Sequence, residues 1–383
     1  MYKNIAYISI FRVLRGIAGG IITIAFPYVI LKDFHKSIGY LGLIYALATI
    51  STALISVFGG VIADVWHRKN AVILISLLLP LSALLLYLEP SYIVAFLSAV
   101  LGGYSATGSL MSGGVGGAIM PAVNALATDI IPKEKRVFAY SVFTFLTGIS
   151  GAFGAYLMKF IPNNKEAFLV AFWISLLSTL FILPINSYHE KGRIDTLNSK
   201  KVIGQFSVVG FLNGFSQGLI TPFLIPFFII VYHIKKSDMA SWAFLAGVLA
   251  SFSPLLANVL YKHLGNLKSI ILTRLAGAII ILSMPLVKNL YIDLVLYSFY
   301  PSFRVLALPI QQSMMSEMID ISEMARAFSL NQISRLSASS IATVLTSFLW
   351  ELSFISLPFF IYTSIMFVNI ALYKKFFGNQ NKN

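Results

Sequence analysis

The sequence predicts an all-α membrane protein in which twelve transmembrane helices form two pseudo-symmetric six-helix bundles. The first observation is composition: 58% of the residues are apolar, 11% are charged, and the mean hydropathy is +0.84. A soluble domain is about a quarter charged, so this chain lacks the polar surface that water requires. The second observation is a series of long apolar segments. The third is an internal repeat that relates the two halves of the chain.

Twelve apolar segments are close to or longer than the roughly 20 residues that a spanning helix needs. They lie near 4–31, 38–63, 70–88, 92–128, 137–159, 166–187, 203–232, 238–261, 269–287, 290–316, 327–349 and 352–373. The fourth is too long for one straight helix and contains seven glycines between Gly102 and Gly117. It predicts either a bent helix or a helix followed by a re-entrant piece. Pro27 is expected to bend the first segment, and Pro222 and Pro226 the seventh.

The internal repeat consists of two glycines and a threonine that recur 198 residues further along the chain. The two sets are Gly16, Gly20 and Thr23, and Gly214, Gly218 and Thr221. We therefore expect a first six-helix bundle over 1–187, a polar cytoplasmic linker over 188–202 and a second bundle over 203–383. Membrane chains made of two equivalent halves are typical of secondary transporters, whose substrate site lies where the halves meet.

The distribution of basic residues predicts the orientation. With the N-terminus inside, the cytoplasmic loops and ends carry sixteen lysines and arginines, and the outer loops carry seven. By the positive-inside rule this is a multi-pass protein of the cell membrane with both termini in the cytoplasm. The net charge of +14 is spread over short loops rather than gathered in one patch, so we expect no nucleic-acid partner. The expected partners are the lipid bilayer and a small-molecule substrate, and the expected oligomeric state is a monomer.

A polar decapeptide separates the second and third segments. It reads Gly60-Val-Ile-Ala-Asp64-Val-Trp-His-Arg68-Lys69. It resembles the loop motif G-x-L-A-D-R-x-G-R-R/K between helices two and three of the major facilitator superfamily, with departures at Val65 and His67. A stretch over 121–139, which contains Asp129 and Arg136, resembles the end of helix four and the start of helix five. With the twelve segments and the repeat, the resemblance covers essentially the whole chain.

The resemblance implies a conformational latch at the inner end of the bundle. The latch residues are Gly60, Asp64, Arg68, Lys69, Asp129 and Arg136. Asp64 is expected to lie against the N-terminus of helix eleven, whose free N–H groups favour a carboxylate. Arg68 is expected to pair with Asp129, so that the halves are held together while the cavity faces outward. The alternative is that these charges only mark the interface and hold the topology.

Five arginines lie inside the predicted segments, whereas every acid and histidine lies in a loop or at a helix end. A central arginine costs about 2.5–3.5 kcal/mol on insertion scales, so it usually faces protein or a water-filled cavity. Arg12 and Arg274 are shallow enough to reach the interface and are interpreted as structural. Arg15 and Arg335 lie near the bilayer middle, where either backbone hydrogen bonds or an anionic substrate would explain them. For Arg304 the structural explanation is preferred.

Polar side chains recur every four residues on the seventh segment, and hence lie on one helix face. Because the family lines its cavity with helices one, four, seven and ten, the resemblance places this face at the substrate. The candidate cavity residues are Arg15, Thr23, Asn213, Gln217, Thr221, Tyr300, Arg304, Gln311 and Arg335.

The expected function is a secondary transporter that moves an organic anion or another polar metabolite by alternating access. The alternatives are a multidrug efflux carrier of amphipathic compounds and a non-transporting receptor of the same fold. An enzyme is not expected, because the spans hold no cysteine, histidine or acid from which a catalytic or metal site could be built. No cofactor or metal is expected. The lack of interior acids favours uniport, anion exchange or a proton that enters with the substrate. Asp33, Asp293 and Glu351, all near the outer edge, are the candidates for a titratable group of the protein itself.

Overall fold

The computed structural model of this chain describes residues 2–65, 68–104, 117–131, 133–185, 199–319 and 324–378. Within these ranges the regular structure is helical, and the α-helices number fourteen. They are α1 (Tyr2–Tyr28), α2 (Ile38–Val65), α3 (Arg68–Ser76), α4 (Leu78–Leu88), α5 (Tyr92–Gly102), α6 (Met120–Ile130), α7 (Lys133–Leu157), α8 (Asn164–Leu180), α9 (Lys200–Ile220), α10 (Leu224–Val231), α11 (Lys236–Val287), α12 (Leu290–Met318), α13 (Met324–Glu351) and α14 (Leu357–Phe377).

Helix is present inside each predicted segment, which confirms the all-α class. In the described part of the chain, seven helical segments are long and apolar enough to cross a bilayer. The predicted boundaries differ where a segment is interrupted or where two are joined. α3 and α4 share the third segment, α9 and α10 share the seventh, and α11 covers both the eighth and the ninth.

Three interruptions have local physical causes. Gly265 has φ 73° and ψ 176°, which is not helical, so the 52 residues of α11 are two helices that meet at this glycine. α9 ends at Ile220 and is followed by a 3₁₀ turn that contains Pro222, where a bend was predicted. α5 ends because Gly103 is left-handed with φ 60°, so the fourth segment is not one straight helix. The glycine-rich residues 105–116 lie outside the described ranges.

The helices pack as two groups. The first group, α1 to α8, packs mainly within itself, and so does the second group, α9 to α14. Two helix pairs make most of the contacts between the groups, α2 with α13 and α7 with α11, and α1 adds smaller contacts with α10 and α11. At the second pair, a side chain on Gly148 would collide with Ser251 and one on Gly247 with Ala152, so glycine permits the close approach. Most of the predicted linker (188–198) lies outside the described residues, and α9 already begins at Lys200.

The buried apolar side chains show how the two groups share their cores. The largest cluster contains residues of both groups, such as Phe26 and Tyr45 with Phe227 and Trp350. It lies toward the end of the bundle that carries the 34–37, 161–163 and 232–235 connections, which we name the outer end. Toward the opposite, inner end, one cluster belongs to the first group and a separate one to the second. The described cores are therefore joined at the outer end and divided at the inner end.

The repeated glycines make equivalent contacts in the two groups. A side chain on Gly20 of α1 would overlap the Gly151 carbonyl oxygen of α7. A side chain on Gly218 of α9 would overlap the Ser339 carbonyl oxygen of α13 in the same way. Glycine is needed at both positions because the helix backbones touch. The sequence repeat is thus also a repeat of helix–helix contacts.

We expect Gly218→Ala to destabilise the protein, because the new methyl group would force α9 away from the Ser339 carbonyl. Overpacking of this kind costs about 1–3 kcal/mol. The measurement is the melting temperature of the detergent-purified protein. The matched control is Gly204→Ala on the same helix, where nothing lies within 4 Å of the new Cβ and alanine is the better helix former. Equal melting temperatures for the two variants would contradict the packing described.

Candidate functional site

A polar cavity lies inside the second group, between α9, α11, α12 and α14, and not where the two groups meet, which is where the internal repeat predicts the substrate site. We name it the central cavity. The side chains on which the argument depends are Asn213, Gln217, Arg274, Tyr300, Arg304, Gln311 and Tyr362. In this conformation its volume is about 30 Å³, which is room for about two water molecules. A solute larger than two water molecules would have to move some of these side chains to fit.

Arg274 of α11 is fixed by neutral partners. Its guanidinium donates to Asn369 Oδ1, to Gln311 Oε1 at 3.3 Å and to the Tyr373 hydroxyl at 3.3 Å, and it lies 4.5 Å from the centre of the Tyr373 ring. Asn369 in turn donates to the Val209 carbonyl at 2.8 Å. The side chain is only 6% exposed, and its Nε–H has no acceptor in the described residues. The guanidinium is thus held from several sides, while its Nε–H is left without an acceptor among the described residues.

Arg304 of α12 lies on the same cavity. It donates to the Thr221 hydroxyl at 3.4 Å, which is a weak hydrogen bond. The neighbouring tyrosines pack edge to face, with the rings of Tyr300 and Tyr362 6.2 Å apart. The Tyr300 hydroxyl is near that of Tyr362, but it makes no hydrogen bond of acceptable geometry within the described residues. Tyr362 lies within electrostatic range of both Arg274 and Arg304, so the two guanidiniums share a neighbour.

Arg335 of α13 lies just outside the central cavity. It donates to Gln332 Oε1 at 2.9 Å, and its charge is close enough to Arg304 for the two to repel one another. The described residues that line the cavity include two arginines and no aspartate or glutamate. Because charges in a protein interior are screened weakly, this region is positive and favours an anion over a cation.

A second small cavity, the interface cavity, lies between the two groups. Thr23 of α1 and Thr221 face it from opposite groups, together with Gly20, Ala155 and Tyr297. Its volume is about 40 Å³ and most of its lining is apolar. Thr221 connects the two cavities, because its hydroxyl accepts the hydrogen bond of Arg304. The repeat-related threonines are therefore brought together, as the internal repeat implies.

The structure separates Arg15 from the other predicted cavity residues. Arg15 is buried in the first group, donates to the Ser76 carbonyl at 3.1 Å and lies 5.7 Å from the centre of the Phe11 ring. Arg12 is also buried there, against Asn124 and Phe143. Neither lines the central or the interface cavity. The contacts of Arg15 are of the backbone-bonding kind that the sequence left open.

The predicted latch falls mostly outside what the structure describes. The side chains of Asp64, Arg68, Asp129 and Arg136 lie outside the described set, as do most side chains of the first turn of α13, which Asp64 is expected to meet. Gly60 belongs to α2, and Lys69 is a half-buried residue of α3. The latch therefore stays a prediction.

Two residues have surroundings that sequence reasoning missed. The Arg274 side chain does not reach toward the membrane–water interface as expected. It is buried beside the central cavity, where Asn369 of α14 accepts its hydrogen bond. Asp293 lies in the first turn of α12, where the sequence put it, but it is fully buried. The Tyr232 hydroxyl donates to Asp293 Oδ2 at 2.5 Å, and Oδ1 has no partner in the described residues. Asn369 and Tyr232 are the residues that could have indicated these contacts, but each lies far from its partner in the sequence.

Polar contacts close the outer end between the two groups. Lys236, the first residue of α11, donates to the Ile161 and Pro162 carbonyls at 2.9 and 2.8 Å and to Asn164 Oδ1 at 2.9 Å. Asn164 also donates to Asp33 Oδ2 at 2.8 Å. One lysine of the second group is thus bound to three acceptors of the first.

Two further contacts reinforce this outer closure. The Tyr28 hydroxyl donates to the Ile234 carbonyl at 3.1 Å. The Ser37 hydroxyl donates to Glu351 Oε1 at 2.5 Å, and a side chain on the nearby Gly39 would collide with the Glu351 carboxylate. The two groups are therefore in tight polar contact at the outer ends of α1, α2 and α13.

Comparisons with known proteins agree with this architecture. The family model of the Major Facilitator Superfamily matches residues 8–343. The chain is 26% identical over 200 residues to the quinolone resistance protein NorA of Staphylococcus aureus; the match covers 52% of this chain and 48% of NorA, so the chain spans about half the length of the curated relatives it matches. The solved nucleoside transporter NupG superposes with a TM-score of 0.78 at 10% identity, over 98% of this chain and 100% of NupG. A D-xylose–proton symporter superposes with a TM-score of 0.77 at 14% identity, over 98% and 97%. The structural likenesses are of fold alone, but the family match covers most of the sequence, and the chain belongs to the Major Facilitator Superfamily.

Proposed function

We propose that this chain is a secondary transporter of organic anions that works by alternating access across the cell membrane. Family membership supports a multi-pass membrane protein that transports a small solute. In the proposed arrangement both termini are cytoplasmic, and the segments 1–187 and 203–383 move relative to one another about a cytoplasmic linker. The excess of lysine and arginine on one side supports this orientation. The proposed working unit is the monomer.

The observation that carries the proposal is the charge of the central cavity. Arg274 and Arg304 line it, and no acid does so among the described residues. Guanidinium groups are matched to carboxylate and phosphate oxygens, with which they form strong, charge-assisted hydrogen bonds. The same guanidinium groups would repel a cationic solute. We therefore place the substrate's negative group at Arg274 and Arg304, with Asn213 and Gln217 as further polar contacts.

The second candidate function is the efflux of drug-like compounds. It is favoured by the similarity to NorA, whose name records quinolone resistance. The match is 26% identical and covers about half of each chain, so it carries less weight than the cavity. The two candidates differ in the charge of the solute, because efflux of organic cations calls for a buried acid that the cavity lacks in its described residues. Efflux of an anionic compound would fit both observations.

The distribution of contacts supports an inward-facing conformation. The outer end has a shared apolar core and the contacts of Lys236 and Glu351, whereas the described inner-end cores of the two groups are separate. In alternating access, closure at one end accompanies opening at the other. We propose that the outer contacts break, and that the latch around Asp64 forms, when the protein turns outward.

Uniport or anion exchange remains the proposed energetics. Asp293 is buried, but it belongs to the outer end of α12 and is absent from the lining of both cavities. A proton carried by Asp293 would therefore have no direct contact with the substrate. Arginine itself stays charged and cannot carry a proton.

Transport of anions by proteoliposomes tests the proposal. Counterflow of radiolabelled benzoate, succinate or phenyl phosphate is expected, and Arg304→Gln should reduce it about tenfold to a hundredfold, because a hydrogen bond to a charged group is worth about 1.5–3 kcal/mol. Lys288→Gln, which removes an exposed lysine of the outer end, is the control and should leave counterflow unchanged. Counterflow of tetraphenylphosphonium without counterflow of any anion would favour the efflux candidate. Binding without counterflow of any solute would favour a receptor.

Lys236→Met tests the outer closure. Loss of the three hydrogen bonds should increase the outward-open population, so that a maleimide added from outside reaches the interface cavity faster. The chain has no cysteine, so Ala155→Cys provides a single reporter there. We expect a several-fold higher labelling rate of Ala155→Cys when Lys236→Met is added. The neighbouring exposed Lys235→Met is the control, and an equal rate for both would refute the proposed role of Lys236.

Asp64→Asn tests the latch. We expect normal insertion and melting temperature but sharply reduced counterflow, because the amide cannot supply the negative charge expected at the N-terminus of α13. Insertion is measured from the amount of purified monodisperse protein, and counterflow from proteoliposomes with matched protein content. Wild-type counterflow by a well-folded Asp64→Asn protein would reduce the motif to a topology signal.

A further inference from the structure

We propose that the central cavity recognises a doubly charged anion, a phosphate monoester or a dicarboxylate, with Arg274 and Arg304 as the two cationic contacts. This inference rests on the proposed transport of anions and narrows its substrate class. It also assigns a substrate contact to Arg274, which the sequence alone had indicated to be structural.

The central cavity and its surroundings carry more than one positive charge. Arg274 and Arg304 both line the cavity, and Arg335 lies close enough to Arg304 to repel it. A solute with one negative charge would leave the cavity with an excess of positive charge in a weakly screened interior. A dianion neutralises one charge at each of the two lining guanidiniums. Electrostatics therefore favours the divalent form of an otherwise identical solute.

The central cavity also contains hydrogen-bond donors that have no acceptor within the described part of the chain, which is an observation independent of charge. The Arg274 Nε–H and the Tyr300 hydroxyl are both buried without a hydrogen-bond partner in the described residues. Arg274 is 6% exposed and Tyr300 is 2% exposed, and both line the central cavity. Buried polar groups are rarely left unsatisfied, so each points to a missing acceptor. A phosphate group brings three acceptor oxygens, and a dicarboxylate brings four.

The guanidinium of Arg274 is already held in one orientation before a ligand binds. Asn369 is fully buried, bonds the guanidinium through its carbonyl oxygen and is itself fixed by its bond to the Val209 carbonyl. Gln311 and the Tyr373 ring hold the group from its other sides. A charged group that is already oriented loses little entropy on binding, which strengthens its contact with a ligand. Asn369 and Gln311 are positioning residues, because they act through Arg274.

The test compares ligands that differ in one charge. Affinities of the full-length detergent-purified protein are measured at pH 8 for phenyl phosphate, a dianion, and for methyl phenyl phosphate, its monoanionic ester. We expect phenyl phosphate to bind at least tenfold more tightly. At pH 5 this preference should disappear, because a phosphate monoester loses its second charge near pH 6 whereas arginine stays protonated. Succinate against butyrate, in the same assay, decides whether a dicarboxylate is accepted as well as a phosphate ester.

Variants of Arg274 and Asn369 test whether the preference for a dianion arises at the central cavity. Arg274→Gln should lower the affinity for phenyl phosphate at least tenfold and that for methyl phenyl phosphate less than threefold, so that the preference is lost. Asn369→Asp keeps the acceptor for Arg274 and adds a competing carboxylate, so it should lose the preference even if Arg274→Gln does not fold. Arg12→Gln, which removes a buried arginine remote from the cavity, is the control and should retain the preference.

The outcomes separate this inference from the proposed function. Equal binding of phenyl phosphate and methyl phenyl phosphate by the unaltered protein would overturn the dianion site and leave anion transport standing. A preference that survives in both Arg274→Gln and Asn369→Asp would place the site elsewhere and overturn the assignment. Absence of binding by phenyl phosphate and succinate, with binding of tetraphenylphosphonium, would overturn both the inference and the proposed function.

Discussion

The constraint on which the account depends is the cost of holding guanidinium groups inside an apolar protein. An arginine at the centre of a spanning helix costs about 2.5–3.5 kcal/mol on insertion scales, so it is kept only where other groups satisfy it. Arg274 meets this requirement with an amide on α14, a glutamine on α12 and an aromatic ring, all of them neutral. Neutral partners satisfy the hydrogen bonds without cancelling the charge. The cavity that Arg274 shares with Arg304 therefore keeps a positive potential for a solute.

The packing of the helices sets where that potential is accessible. Repeated glycines bring α1 against α7 and α9 against α13, which makes each group a compact unit. The two units share an apolar core and polar contacts at the outer end, and their described cores are separate at the inner end. In the proposed inward-facing conformation, the outer contacts close the protein toward one side, and a solute approaches from the other. The outer contacts made by Lys236 are few and polar, so they can exchange with water at modest cost.

Much of the fold could be predicted from the sequence, because hydrophobic segment length and the glycine repeat are local signals. The break between the eighth and ninth segments, where Gly265 lies, and the bend at Pro222 could likewise be predicted. The contacts of the candidate site were harder to predict from the sequence. The position of Arg274 along its helix predicts a side chain that reaches the membrane–water interface. Its actual surroundings depend on Asn369, an asparagine 95 residues away on α14. The burial of Asp293 likewise depends on Tyr232, 61 residues earlier, which no local pattern relates to it.

The central claim is that the solute-binding cavity is positive, and ligand-induced thermal stabilisation measures this most directly. The detergent-purified protein is melted in the presence of carboxylates, phosphate esters, sugars and amphipathic cations at equal concentration and ionic strength. A ligand that binds only the folded protein raises the melting temperature, and at equal concentration a tighter ligand raises it more. The account predicts stabilisation by carboxylates or phosphate esters that is lost in Arg304→Gln. Stabilisation by amphipathic cations alone would contradict it.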